Sequence, residues 1–407
     1  MTTLLFTTES TGVLEGQLQR LGSLPNLPPF SPQARGFVAE FTRRILKLPG
    51  LRGFPELATL SHWFRPAAID HLARQATALE SGTVLPRGTV FHLAPANVDV
   101  LFAYAWLMSL LAGNRNVARL SQKPGQQRDA LIGILHQMRA EDLFPEVLER
   151  TVLVTYPHDD AITRAISARC HARIVWGGDA TVAKIRAVPL APQAIELVFP
   201  DRFGIAALDA SSVASLPAQD LRELSRRFCN DMLWFAQQAC SSPRCLYWIG
   251  ATDAIASAKA AFWPAVREQA TQFEDETAAL MARITDACLL ATVAEGARLE
   301  DSLAAYPIRL AVGRAGGDLR EIQSGYGLVT EVDLPRLDLL ADQLDDRDQT
   351  MVAFGLDHAQ LAAFASSLPN RALDRIVPVG RALDFHHIWD GTDLFAVLMR
   401  RVTLPRN

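Results

Sequence analysis

Residues 88–120 read GTVFHLAPANVDVLFAYAWLMSLLAGNRNVARL. Gly88 to Leu93 is a short run of β-forming residues, and Ala94 to Val98 has turn composition. Asp99 is a suitable N-cap for a helix running to Leu111, because its carboxylate accepts from the free N–H groups of a first helical turn. Gly113-Asn114 stops that helix, and Asn116 to Leu120 reads as the next strand. Strand, turn, capped helix and strand within about thirty residues is a βαβ unit, which implies a parallel sheet.

The alternation continues along the chain. Helices are expected at Asp129 to Arg139, Ala161 to Ser167 and Asp179 to Arg186, and strands at Thr151 to Thr155, Ala172 to Trp176 and Ile205 to Leu208. The first eighty residues look mostly helical, with proline punctuation between Leu24 and Ser31. Near Pro217 a second section begins. Leu221, Leu224, Phe228, Met232 and Phe235 keep helical spacing, which predicts one amphipathic helix to about Ala239. Pro243 ends it, and Cys245 to Ile249 reads as a strand. Helices follow around 252–270 and 272–283, and Arg309 to Leu334 looks like short strands with glycine turns. The expected division is a domain at 1–215, a second at 216–378 and a C-terminal return at 379–407.

The chain has 407 residues, with 40 basic and 44 acidic side chains and a formal net charge of −4. Without a basic stripe, a nucleic-acid partner is not expected. Five cysteines, an odd number, do not make a disulfide framework in a chain of this length. They fit a reducing cytoplasm. The N-terminus MTTLLFTTES lacks a basic segment followed by an apolar stretch, so no signal peptide is read. The longest apolar run, Val100 to Ala112, is shorter than the ~20 residues of a membrane span and is expected to be a buried helix.

Three places can carry chemistry. Cys240, in Gln-Gln-Ala-Cys-Ser-Ser-Pro (237–243), stands where a helix ends before a strand. A thiolate there is a good nucleophile that forms thioesters, although most buried cysteines are inert small hydrophobes. A zinc site of Cys240 with Cys245, and Cys229 as a further ligand, is the weaker alternative, since no second ligand pair has finger-like spacing. Asn97, in the turn Ala-Pro-Ala-Asn-Val, has an amide able to donate to an oxyanion; an asparagine capping its own turn is the commoner case. Trp-Gly-Gly-Asp (176–179) follows a strand and opens a helix, where glycines admit a phosphate. It is short of a full Gly-x-Gly-x-x-Gly pattern, and Asp179 opposes a phosphate bound directly. Arg119, Ser121 and Lys123 follow an earlier strand, and the two cations there suit a ribose phosphate, or else form a solvated basic patch. His386 and His387 are adjacent, and on a regular helix or strand they would point apart. No Gly-x-Ser-x-Gly elbow is present.

Taken in order, Phe-His-Leu-Ala-Pro-Ala-Asn (91–97), Ser-Leu-Leu-Ala-Gly-Asn (109–114), Val-Ala-Arg-Leu-Ser (117–121), Val-Trp-Gly-Gly-Asp (175–179), the stretch from Asp231 to Pro243, Asp-Gln-Thr (348–350) and the stretch from Gly380 to Trp-Asp-Gly (389–391) resemble one family. They are similar to the acyl-CoA reductases of the LuxC type, the fatty-acyl reductase subunit of bacterial bioluminescence, within the aldehyde dehydrogenase superfamily. The resemblance spans about residues 83–395. It implies an α/β, aldehyde-dehydrogenase-like fold: a Rossmann-like cofactor domain, an α/β catalytic domain with the nucleophilic cysteine, and a small oligomerisation element. Cys240 falls on the family's nucleophile and Asn97 on the superfamily's oxyanion asparagine. Arg119 falls where most aldehyde dehydrogenases carry a lysine at the adenosine ribose, and arginine there is compatible with the 2′-phosphate of NADPH. Gly177 and Gly178 fall at the cofactor turn. The resemblance also departs from the superfamily. The hydrolytic glutamate has only Glu196 as a nearby candidate, and the Glu-x-Phe-Gly cofactor contact reads Ser324-Gly-Tyr-Gly327.

The expected reaction is attack of Cys240 on an acyl thioester of CoA or a carrier protein, followed by reduction with NADPH and release of an aldehyde. An acyl-activating enzyme is a possible partner, and a homo-oligomer is expected. The alternatives are an acyltransferase with the same acyl-cysteine, a reductase of acyl phosphates, and a partner-binding scaffold without activity.

Overall fold

The structure is a computed structural model that describes residues 5–7, 11–77, 83–94, 100–123, 125–273 and 276–404. The chain forms two compact units, 1–200 with 385–407, and 201–384.

In the first unit, six parallel strands form one sheet in the order Leu5–Thr7, Thr151–Thr155, Arg115–Arg119, Thr89–Leu93, Ala172–Trp176, Ile195–Phe199. Thr89–Leu93 is followed in the chain by strands to one side and then by strands to the other. The order therefore reverses between Thr89–Leu93 and Ala172–Trp176, the kind of switch point where open α/β sheets bind ligands beyond the strands' carboxyl ends. The apolar run forms the helix Val100–Leu111, buried nearly all round. Phe37 and Phe41 meet Trp106 edge-on at 5.7 Å each, and the Trp106 indole donates to Thr151 Oγ1 at 3.1 Å. Gly113 stops the helix in the left-handed region, at φ +86°, and a Cβ there would lie 2.1 Å from the Leu27 carbonyl oxygen.

Asn114 joins the start of the sheet to the tail of the chain. Its Oδ1 accepts from the Gly88 N–H and its Nδ2 donates to the Leu398 carbonyl, both at 2.9 Å. Met399–Val402 then pairs antiparallel with Thr83–Pro86. The Trp-Asp-Gly segment is the turn of a two-residue hairpin joining Ile388–Trp389 to Thr392–Asp393. Asp390 at φ +46° and Gly391 at φ +68° give it type I′ geometry. His386 and His387 do not point apart, as a regular element would require. Their rings stack at 4.5 Å, because they lie in an irregular segment before this hairpin.

In the second unit the sheet order is Arg298–Leu299, Ile308–Ala311, Leu328–Leu334, Pro243–Ile249, Phe203–Asp209, Asp348–Phe354, Arg375–Pro378. All neighbours are parallel except the first pair. Alternate residues feed two cores: Ile205, Cys245, Tyr247 and Leu310 on one face, and Ala206, Leu246, Trp248 and Val352 on the other. The strand around Ile205 to Leu208, read from sequence as part of the 1–215 segment, hydrogen-bonds in this second sheet, so the units part at Pro200–Asp201.

The helix expected to reach Ala239 stops at Leu233. Trp234 is extended, and Phe235, Ala236 and Gln237 follow at φ +55°, +50° and +61°. Left-handed conformation costs roughly 1–2 kcal/mol per non-glycine residue, so something must hold these three. The tertiary contacts of Gln237 do so.

Candidate active site

Gln237 is fully buried, and the three hydrogen bonds of its amide all go to backbone. Its Nε2 donates to the carbonyls of Pro243 at 2.8 Å and Leu328 at 3.1 Å, and its Oε1 accepts from the Gly327 N–H at 2.8 Å. Beside it, the Gln238 amide donates to the Ser324 carbonyl, and the Tyr326 N–H donates to the Ala236 carbonyl at 2.9 Å. The loop before Cys240 is thus stapled to Ser324-Gly325-Tyr326-Gly327. Gly325 permits the approach: a Cβ there would come 2.7 Å from the Gln237 carbonyl oxygen. Cys240 itself lies in a tight turn closed by the Ser242 N–H donating to the Ala239 carbonyl at 3.0 Å. The strand Pro243–Ile249 starts directly after it. Gly204 presses on this turn from the neighbouring strand, where a Cβ would meet the Ser242 carbonyl oxygen at 2.3 Å.

Cys240 is half-buried. The internal cysteines are different: burial pushes the thiols of Cys170 and Cys229 up to about 12 and that of Cys245 up to about 11, which leaves them protonated and inert at neutral pH. Cys288 is exposed on the helix Thr277–Val293.

Behind the stapled segment stands a layer of buried polar side chains that sequence reasoning did not single out. Asp286 accepts from the Ser324 N–H at 2.8 Å and from its hydroxyl. Arg283 donates to the Tyr326 carbonyl at 2.7 Å and lies over the Tyr306 ring at 4.7 Å. Gln323 donates to the carbonyls of Arg244 at 2.8 Å and Leu328 at 2.6 Å. A signal for two of these exists in the sequence. Arg283 and Asp286 are the two charged residues of an otherwise uncharged helix, three positions apart on one face, and that face turns inward.

In the first unit, the described cofactor-binding candidates lie at or just beyond the carboxyl ends of strands. The Arg119 guanidinium lies over the Tyr156 ring at 4.7 Å and donates to the Tyr156 carbonyl at 3.3 Å. Its Nε is buried and has no hydrogen-bond partner among the described residues. Ser121 is committed locally, accepting from the Lys123 N–H at 3.1 Å, and Lys123 is exposed. Arg128 fixes this corner by donating to the carbonyls of Ser121, at 2.6 Å, and Lys123. Gly177 and Gly178 follow Ala172–Trp176 and open the helix Asp179–Arg186. Gly178 has φ −62°, within reach of any residue, and a Cβ there would meet nothing within 4 Å. It leaves open space before a helix N-terminus and needs no special backbone angle. Asn97 lies outside the described residues. Glu196, the nearest candidate for a hydrolytic base, is held in ion pairs with Arg173 at 2.5 Å and Arg186 at 3.2 Å.

Residues 64–401 match the family described as Acyl-CoA reductase (LuxC). The chain belongs to the LuxC acyl-CoA reductase family. A "Long-chain acyl-protein thioester reductase" of Aliivibrio fischeri is 25% identical over 167 residues, which cover 40% of this chain and 33% of that protein. Among solved structures, aldehyde dehydrogenase 21 from Physcomitrella patens superposes with a TM-score of 0.71 at 11% identity, covering 97% of this chain and 90% of its own. A NAD-dependent aldehyde dehydrogenase from Sinorhizobium meliloti gives 0.70 at 14% identity, covering 97% and 86%. The glyceraldehyde-3-phosphate dehydrogenase GapN from Methanocaldococcus jannaschii, solved with NADP, gives 0.64 at 12% identity, covering 96% and 91%. The fold is that of the aldehyde dehydrogenases, as the LuxC-type resemblance implied. No described helix is long and apolar enough to cross a membrane.

Proposed function

We propose that this LuxC-family chain reduces an acyl thioester to an aldehyde, with NADPH as reductant and an acyl-cysteine on Cys240 as intermediate. The observation that carries the reading is the contrast among the thiols. Cys240 is half-buried in a turn held by paired backbone and glutamine contacts, whereas the thiols of Cys170, Cys229 and Cys245 are buried and pushed far up.

The Cys240 thiolate attacks the thioester carbonyl, a C–S bond forms, and the CoA or carrier thiol departs, protonated from solvent. The tetrahedral oxyanion is assigned the Cys240 backbone N–H and, from the resemblance, the Asn97 amide. NADPH, when bound, supplies the hydride that takes the acyl-cysteine to the aldehyde level, after which the aldehyde leaves and Cys240 is regenerated. The residues of the first unit fit that cofactor. Arg119 offers a guanidinium braced on Tyr156, with an Nε that has no partner among the described residues, suited to a ribose phosphate, and Gly178 leaves room at a helix N-terminus. With Glu196 already paired to two arginines, no hydrolytic base is assigned, and an acyl-enzyme without one is spared from water until reduction.

The test is NADPH oxidation with a series of acyl-CoAs, with Cys240→Ala as control. Oxidation that requires both acyl-CoA and Cys240 is the expected result. A normally folded Cys240→Ala protein that keeps turnover overturns the mechanism. An acyl adduct on Cys240 without oxidation identifies the acyltransferase instead.

A further inference from the structure

Arg244 lies four residues beyond Cys240, at the start of the strand Pro243–Ile249. It is 7% exposed, yet it lacks most of what a buried guanidinium normally has. One terminal nitrogen approaches the Gln323 carbonyl at 3.4 Å, a long contact. Its Nε has no partner among the described residues. The remaining contact is with the Phe203 ring, 5.7 Å from its guanidinium carbon. Arg320 shares that ring at the same distance and shows the contrast, because Asp348 neutralises it through a hydrogen-bonded ion pair at 3.0 Å. Among the described residues Arg244 has no such carboxylate.

Burial disfavours the Arg244 charge, and Asp201, Cys240, Asp286 and Tyr326 are among the groups whose fields favour it. Asp286 is committed to the Ser324 N–H and hydroxyl, and Asp201 is exposed to solvent. Arginine keeps its proton even when buried, so the turn that carries Cys240 ends on a fixed, weakly compensated positive charge. A nearby cation favours the ionised form of a thiol, and the effect is strongest where water is excluded.

We infer that Arg244 is a positioning residue for the reaction, supplying the buried positive charge that keeps the Cys240 sulfur ionised and ready to attack. Arg244 neither gives nor takes a proton: the thiol proton passes to solvent, and the guanidinium stabilises the anion left behind. The inference rests on the reading of Cys240 as the nucleophile.

The test is the rate of alkylation of each cysteine by iodoacetamide, read by peptide mass spectrometry across pH in the full-length protein. Exposed Cys288 is the internal reference. In the wild type the pH midpoint for Cys240 should lie below that for Cys288; a midpoint equal to or above it overturns the inference without any variant. Arg244→Gln should raise the Cys240 midpoint by about one unit and slow its alkylation at neutral pH about tenfold, leaving Cys288 unchanged. Arg244→Lys, which keeps the charge, should restore most of the rate. A folded Arg244→Gln protein with an unmoved midpoint, or a lysine variant as slow as the glutamine one, overturns it. The two readings fail separately. Arg244-dependent alkylation without an acyl adduct on Cys240 would retain this inference and lose the reductase, and an acyl adduct with Arg244-independent alkylation would do the opposite.

Discussion

Replacing Gln237 with methionine keeps the volume of the side chain and removes its three hydrogen bonds. The carbonyls of Pro243 and Leu328 and the Gly327 N–H would then be left buried without the amide that serves them at 2.8–3.1 Å. A buried polar group deprived of its partner costs about 1–3 kcal/mol. Three of them sum to roughly 3–9 kcal/mol before relaxation, and some recovery by local shifts leaves an expected loss of about 3–5 kcal/mol. That is a large part of the ~5–15 kcal/mol that holds a domain folded. The three left-handed residues 235–237 would also lose their anchor, so the turn carrying Cys240 should loosen with them. Urea denaturation followed by circular dichroism reads the stability, and amide exchange at Gly327 reads the local opening. Gln237→Glu should be worse at neutral pH, because a carboxylate would face two carbonyl oxygens. A methionine variant within about 1 kcal/mol of wild type, with Gly327 still protected, would refute the claim that Gln237 holds this loop.

Three further outcomes are expected. Ala236→Gly should stabilise the protein by up to about 1 kcal/mol in the same denaturation assay, because φ +50° strains alanine and not glycine; a loss of stability would show the loop to be unstrained there. Asp231 is buried, which pushes its carboxyl up to about 7 despite accepting from the N–H groups of Gly380 and Ala382. A carboxyl raised in the folded state stabilises fully below its unfolded value near 3.8 and loses that contribution as pH rises through about 7. Wild type should therefore lose about 2–3 kcal/mol between pH 5 and pH 8 through this group, and Asp231→Asn should remove that slope; an unchanged slope refutes the assignment. Arg119→Gln should raise the KM for NADPH at least about tenfold while leaving that for NADH within about threefold, the loss of one charge-assisted phosphate contact; an equal effect on both cofactors would remove Arg119 from the 2′-phosphate.

Most of the fold is legible in the sequence because it is written in local chemistry. The strand Ala172–Trp176 and the helix Asp179–Arg186 lie where periodicity places them, and Gly113-Asn114 stops its helix as its residue types require. The placement of Cys240 and of Gly177-Gly178 at junctions between elements is legible too. Helical spacing through Phe235, however, says nothing of where the helix ends. Leu233 is the last residue because Gln237 finds three backbone partners around Pro243 and Gly327–Leu328, and contacts across ninety positions leave no local trace. The same holds for the strand at Phe203–Asp209, whose composition fits either sheet until pairing with Pro243–Ile249 and Asp348–Phe354 decides. Local residue patterns suffice for most element types and for the α/β class. Which buried polar groups find partners, and that the Arg244 Nε finds none among the described residues, follows from packing, because hydrogen bonding and desolvation depend on neighbours that folding brings together.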